Sequence, residues 1–248
     1  MRQLRSFHNW IKSELVASAC KHFRDNYGER ARITLLDFGC GKGNDQFKWK
    51  KHRVEFALGL DPDLNSIREA YERGKQQVPP TYVFLCEPDP LGYVHSQVPP
   101  ESVDIFSCMF AVHYLTRDDL ELLLRNVQRV LVPGGLALLT HLDGTAVLST
   151  GLPIRDRHFT IEPEDPRRVR VSIRGTQYFD SVGSSVEHLV FPGHIRQIAQ
   201  ANDLVVVESL SKPFGAWSSD PLSKGMTDSE RALSNLHCSG VLFKPFKN

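Results

Sequence analysis

Leu35-Leu36-Asp37-Phe38-Gly39-Cys40-Gly41-Lys42-Gly43 is a hydrophobic run that passes straight into glycines at alternate positions. Glycine there lets the backbone turn sharply and approach a ligand at the carboxyl end of a strand, the usual binding edge of an open α/β sheet. The next hydrophobic run ends in Gly59-Leu60-Asp61. A carboxylate is an acceptor-only group, so Asp61 at that place suits the two ribose hydroxyls of an adenosine moiety. The spacing is GxGxG rather than the GxGxxG that packs a pyrophosphate on a helix start, which favours S-adenosylmethionine over NAD. No CxxC pair is present among Cys20, Cys40, Cys86, Cys108 and Cys238, so neither a zinc knuckle nor a disulfide framework is indicated, and reduced thiols are expected.

The elements that must position these residues alternate along the chain. Ser6 to Tyr27 repeats apolar residues at helical spacing, with Ser6 as the expected N-cap and Gly28 as the stop. Strands are expected at Ile33 to Phe38, Val54 to Leu60, Tyr82 to Cys86, Val103 to Phe110 and Leu136 to Leu142. Helices are expected at Asn44 to Lys51, Leu64 to Arg73 and Arg117 to Val130. Such alternation calls for a mostly parallel sheet with helices on both faces. Beyond residue 143 the rhythm changes. Arg155 to Arg174 is rich in Arg, Pro and acids, and Val169 to Phe179 reads as two short strands turning at Arg174-Gly175. A helix near Pro192 to Ala201, a strand at Leu204 to Leu210, a flexible stretch from Lys212 to Lys224 and a last strand near Gly240 to Phe243 follow. One domain is expected over 1–248: an N-terminal helix (1–30), a cofactor-binding core (31–142), an insertion (143–184) and a C-terminal part (185–248).

The 248 residues carry a net charge of +1, 41% hydrophobic and 24% charged side chains, which excludes a disordered tail protein. No run approaches the ~20 apolar residues of a membrane helix. Met1-Arg2-Gln3-Leu4-Arg5 is followed by no apolar signal core, so an intracellular protein of the nucleus or cytoplasm, neither secreted nor membrane-bound, is expected. The charge is uneven: residues 1 to 53 hold 12 Lys/Arg against 5 Asp/Glu, and the rest 18 against 24. A small anionic partner near the N-terminal segments is therefore compatible with a neutral chain.

Four segments together resemble the mRNA cap guanine-N7 methyltransferase family. Phe7-His8-Asn9-Trp10-Ile11-Lys12-Ser13 is similar to its Asn-Asn-Trp-Ile-Lys-Ser signature. Leu36 to Asp45 with Lys48-Trp49 is similar to its glycine loop and the Lys-Trp behind it. Ser107-Cys108-Met109-Phe110-Ala111-Val112-His113-Tyr114 resembles a Ser-Cys-Gln-Phe segment ending in His-Tyr, and Val186-Glu187-His188-Leu189-Val190 a Glu-Tyr-Leu-Val motif. The resemblance runs from residue 5 to 142 and again from about 185 to 211.

It implies a Rossmann-like class I methyltransferase fold with a seven-stranded sheet, S-adenosyl-L-methionine as cofactor, and methyl transfer to guanine N7 of a 5′ GpppN end. Capped RNA would be the partner, with other capping enzymes or domains beside it. Lys12, Gly39, Asp61, Glu87, Met109 and Tyr114 would hold the cofactor; Asn9, Lys42, Lys48, Arg73, His113 and Glu187 would hold the cap. No acid, base, nucleophile or metal is required, because N7 offers a lone pair and no proton. Departures are Asn44 for a family glycine, Met109 for Gln, Glu87 for Asp, and His237-Cys238 where the family has a tyrosine. Duller roles compete. Lys48, Lys50 and Lys51 could form a solvated helix face, Trp10 and Trp49 core, and His113 a structural histidine. Glu187 could cap the following helix, and the Arg155 to Arg174 cluster could be a salt-bridge mesh as readily as a phosphate grip. A small-molecule methyltransferase of this fold and a non-catalytic capping subunit are the rival functions.

Overall fold

The computed structural model describes residues 1–75, 81–175, 182–217 and 221–246. α1 spans Arg2–Tyr27 and buries Leu4, Phe7, Ile11, Leu15, Ala19 and Phe23, the stripe its spacing dictates, before Gly28 stops it. It starts before Ser6, whose hydroxyl turns back to the Arg2 carbonyl. The free amides of its first turn need no local cap because Gln3 and Leu4 N–H donate to Glu230 Oε1 at 3.1 and 3.2 Å.

β1 (Thr34–Phe38), α2 (Gln46–Lys51), β2 (Phe56–Asp61), α3 (Leu64–Gly74), β3 (Thr81–Cys86), α4 (Pro90–Gln97), β4 (Val103–Met109), α5 (Arg117–Val130) and β5 (Leu131–Leu142) follow in order. Next come α6 (Gly144–Thr150), β6 (Ile154–Arg155), β7 (Phe159–Asp165), β8 (Arg168–Ile173), β9 (Ser185–His188), α7 (Pro192–Ala201), β10 (Val205–Val206), α8 (Pro221–Lys224), α9 (Asp228–Asn235) and β11 (His237–Phe243). Seven described strands form one sheet in the order β10-β11-β5-β4-β1-β2-β3. β1 to β5 are parallel, and β11 runs antiparallel beside β5. Leu35, Ile105 and Leu138 face a core shared with α1, while Leu36, Phe106 and Leu139 face one shared with α5 and α7. This is the Rossmann-like, mostly parallel α/β architecture expected from the alternation.

A second, antiparallel sheet, β6-β7-β8-β9, follows β5. Phe159, Ile161, Val169 and Val171 point inward at period two while charged neighbours point out. The division expected at residue 184 falls short of this sheet, since β9 pairs with β8; Glu187 therefore rides on the inserted sheet. β8 turns at Arg174-Gly175 as expected, but its described partners are β7 and β9, and the rest of the expected hairpin, at 176–181, lies outside the described residues. The strand expected at Leu204 to Leu210 is confined to Val205–Val206, and the stretch expected to be flexible from Lys212 holds the fully buried Phe214. The five cysteines are unbridged.

Candidate functional site

The carboxyl ends of β4, β1 and β2 lie side by side at one edge of the sheet, where the candidate cleft forms. The chain leaves β1 in left-handed backbone at Gly39 (φ 72°) and Gly43 (φ 63°). A Cβ at Gly39 would lie 2.4 Å from that of Ala111, so only glycine lets the loop pass beneath the β4 turn. Gly39 and Cys40 N–H donate to the Leu60 carbonyl at 2.8 and 3.0 Å, tying the loop to the end of β2. Asp61 accepts Gly41 N–H on Oδ2 at 2.8 Å and Asp63 N–H on Oδ1 at 2.9 Å. Each oxygen keeps a further lone pair for a ligand hydroxyl. Burial pushes the Asp61 carboxyl up and the two amides pull it back. Glu87 is placed beside it, its N–H bonded to the Asp61 carbonyl at 3.0 Å.

Asp37 lies under the loop, 4% exposed, in register with Ser107 of β4. Burial, reinforced by the nearby Asp45, raises its pKa to about 7. A carboxyl raised in this way keeps its proton in the folded chain while the unfolded chain ionises. Stability is therefore undiminished below about pH 4 and is lost as the pH rises towards 7, by on the order of 4 kcal/mol. Asp37→Asn is expected to match the wild type at pH 4 and to exceed it at pH 8 in urea unfolding. A variant weaker at both would show that the ionised form is the stabilising one.

α1 lies across the loop and brings Lys12 Nζ to 2.7 Å from Asp45 Oδ2. The other Asp45 oxygen pairs with Lys48, whose Nζ also reaches Asn9 Oδ1 at 3.2 Å. Burial would raise the Asp45 carboxyl, but the two ammonium groups outweigh it and hold it at about 2. Lys48 is 1% exposed, so neither a solvated helix face nor an open phosphate contact describes it. Trp49 is core, as its duller role had it. Lys42 and Arg73 meet on the α3 side of the loop: Lys42 Nζ pairs with Glu69 at 2.7 Å and Arg73 Nε donates to the Lys42 carbonyl at 3.1 Å.

On the opposite side, His113 follows β4 on a 3-10 turn, with the half-exposed Tyr114 ring 4.6 Å away. Its Nε2 lies 3.8 Å from Glu187 Oε2, beyond hydrogen-bond reach, and its buried Nδ1 has no described partner. Glu187 is 5% exposed and, among the described residues, receives only the Ser185 hydroxyl, at 2.6 Å. Burial raises the Glu187 carboxyl and pushes His113 down to about 4, so the imidazole is neutral at physiological pH. Glu187 caps no helix, since α7 is entered through Phe191 with Pro192 in its first turn.

Residues to which the sequence assigned no role complete the cleft. Asp45 is its charge hub. Phe110, in left-handed backbone (φ 60°), stacks on His8 at 5.5 Å and meets His237 at 5.6 Å. His237 donates from Nδ1 to the Leu233 carbonyl at 2.8 Å if that nitrogen carries the proton. The Asp45-x-x-Lys48 spacing was visible in the sequence; the Phe110 backbone left no signal there. Met109 is buried at the end of β4. The arginines of the second sheet are paired, Arg155 with Glu162 at 3.0 Å and Arg170 with Glu164 at 2.8 Å, a salt-bridge mesh.

Comparison with known proteins bears on this geometry. Residues 1–159 match the family model of the mRNA (guanine-N(7))-methyltransferase domain. The chain is 27% identical over 229 residues to the mRNA cap guanine-N(7) methyltransferase of Schizosaccharomyces pombe, covering 86% of this chain and 62% of that one. It is 32% identical to the protein of the same name from Cryptococcus neoformans, over 62% of this chain and 22% of that one. It thus spans less than two thirds of these curated relatives. Among solved structures it superposes on an S-adenosylmethionine-dependent methyltransferase from Clostridium acetobutylicum with a TM-score of 0.58 at 13% identity, over 92% of this chain and 91% of that one. The PH0226 protein of Pyrococcus horikoshii gives 0.59 at 15%, over 88% and 84%. These two establish the fold alone, that of class I S-adenosylmethionine-dependent methyltransferases.

Proposed function

From the premise that this chain belongs to the mRNA (guanine-N(7))-methyltransferase domain family, we propose that it methylates guanine N7 of a 5′ GpppN RNA end, using S-adenosylmethionine. The observation that carries the guanine half is Glu187, a buried carboxylate that among the described residues has one hydroxyl donor and no cation on it. Guanine presents N1–H and N2–H side by side, and a carboxylate accepts both. His113 Nδ1, without a described partner, supports a ligand at this place, since an unpaired buried polar atom is costly unless something fills it.

The cofactor half fits the residues present. Asp61 keeps lone pairs for the ribose, the Gly39 turn admits close approach of a backbone, and Lys12 stands over the loop on Asp45. When bound, S-adenosylmethionine supplies an electrophilic methyl on a sulfonium. The chain's part is to align that methyl with N7 and keep water out, because N7 has no proton to remove. Positive charge moves onto the guanine, and the Glu187 carboxylate favours that movement. Capped RNA is the partner on this reading, which places the protein inside the cell, in the nucleus or the cytoplasm. No described helix is long and apolar enough to cross a membrane.

The test is incubation with labelled S-adenosylmethionine and GpppA-RNA, followed by nuclease digestion to locate the label. Label in N7-methylguanosine supports the reading; cofactor bound but no label at N7 overturns it. Asp61→Ala is expected to weaken cofactor binding about 10–100-fold by calorimetry while leaving binding of the cap guanosine within about twofold, given hydrogen bonds to a charged group worth ~1.5–3 kcal/mol. Equal loss of both ligands would place Asp61 in the loop's folding instead.

A further inference from the structure

We propose that a cavity on the other face of β5 and β11 takes the second nucleoside of the capped end, the one joined to the cap guanosine through the triphosphate. This rests on the guanine reading above. The cavity measures about 320 Å³ and is bounded by His141, Asp143, Thr145, Ile195, Pro213 and Leu242. Cys238, Gly240 and Leu242 reach it from one face of β11 and Ser239 also lines it, while His237 and Val241 belong to the first site and its core. The two sites share a wall at the carboxyl edge. There Asp143 N–H bonds the Leu236 carbonyl at 2.7 Å and Gly144 N–H the Val190 carbonyl at 2.8 Å. One substrate with two bases on a bridging linker matches two sites either side of one strand pair.

The lining suits a nucleoside. Apolar walls from Ile195, Pro213 and Leu242 can flank a base; of the two cations at the lining, Arg196 is paired with Glu208 and Lys212 Nζ lies 4.2 Å over the Trp217 ring. Lys212 begins the segment that continues to Phe214, which packs against Phe110 and His237 in the first site, so the phosphate bridge would pass a cation. Asp143 accepts Thr145 and Ala146 N–H on Oδ1 and has no described hydrogen bond on Oδ2. That free oxygen is an acceptor for an exocyclic amine, which adenine and cytosine carry and uracil lacks.

Binding of GpppA, GpppU and GTP is compared, the last being a guanosine with no second nucleoside. Thr145 is exposed, so Thr145→Trp should narrow the cavity without disturbing the core. It is expected to weaken GpppA about tenfold and leave GTP unchanged. Asp143→Asn keeps the helix cap and should shift preference from GpppA towards GpppU. Equal wild-type affinity for GpppA and GTP, or a Thr145→Trp loss shared by both or by neither, overturns the proposal, while N7 methylation of GTP stays intact. Methylation of none of the three overturns the guanine reading itself, and this proposal with it.

Discussion

Glu187→Ala is expected to lower kcat/KM for cap methylation about a thousandfold while the cofactor Kd stays within about twofold. Two charge-assisted hydrogen bonds to a buried carboxylate, at ~1.5–3 kcal/mol each, give a loss of that order. The same substitution should raise Tm. In the folded chain Glu187 is buried with a single hydroxyl donor among the described residues, and burial lifts its carboxyl pKa, so the ionised group costs stability that alanine removes. Activity and stability moving in opposite directions separates a ligand-binding carboxylate from a structural one. Glu187→Gln should retain part of the binding, since one amide oxygen still accepts while its NH2 opposes the guanine donors. Parallel steady-state kinetics, calorimetry with the cofactor and thermal unfolding decide the matter; a fall in Tm matched by loss of both ligands would remove Glu187 from the guanine site.

Asp45→Ala should be the most destabilising single substitution in the cleft. It strands Lys48, 1% exposed, and leaves Lys12 without its anchor. Breaking a buried ion pair from one side costs about 3–5 kcal/mol, because the remaining charge is neither solvated nor paired. For a chain of this size that lowers Tm by roughly 10 °C. Adding Lys48→Met should recover much of the loss, since the fully buried ammonium is then gone and only Lys12, with its side chain 12% exposed, still lacks a partner. Cofactor affinity should stay impaired in the double variant, because Lys12 is still unheld. If the double variant melts as low as the single one, the destabilisation arises from packing in α2 and not from charge. Acid unfolding reports the same contact: Asp45 is held at about 2, so its contribution is full above about pH 4 and is lost as the pH falls towards 2.

The parts of this molecule that could be read from residues are those where backbone and side chain have one physical solution. Glycines after a hydrophobic run had to be a turn, and Asp61 after the next run had to sit at the adjacent strand end. The stripe from Leu4 to Phe23 had to be a buried helix face, though its start was misplaced because its cap, Glu230, lies 226 residues further on. Lys48 misled for a related reason. Lysines default to solvent, and only the fold shows that Asp45 and Asn9 surround this one. In β7 and β8 the inward Ile161, Val169 and Val171 alternate with charges whose pairing across the hairpin is a tertiary fact. The meeting of His113 with Glu187 depends on how that second sheet settles over the first, and the place of Phe110 on how α1 and His237 close on it.

The clamp between α1 and α9 has a kinetic consequence. His8 Nε2 lies 3.2 Å from Ser234 Oγ, a contact across 226 residues, and the Leu4 amide reaches Glu230 across the same span. Closing so long a loop is entropically slow, and contacts of that separation form after local ones. On a ribosome α1, which carries Asn9 and Lys12, is made before α9, so its first turn stays without Glu230 until residues 226 positions further on have emerged. A product that stops short of α9 should therefore leave the first-turn amides of α1 uncapped.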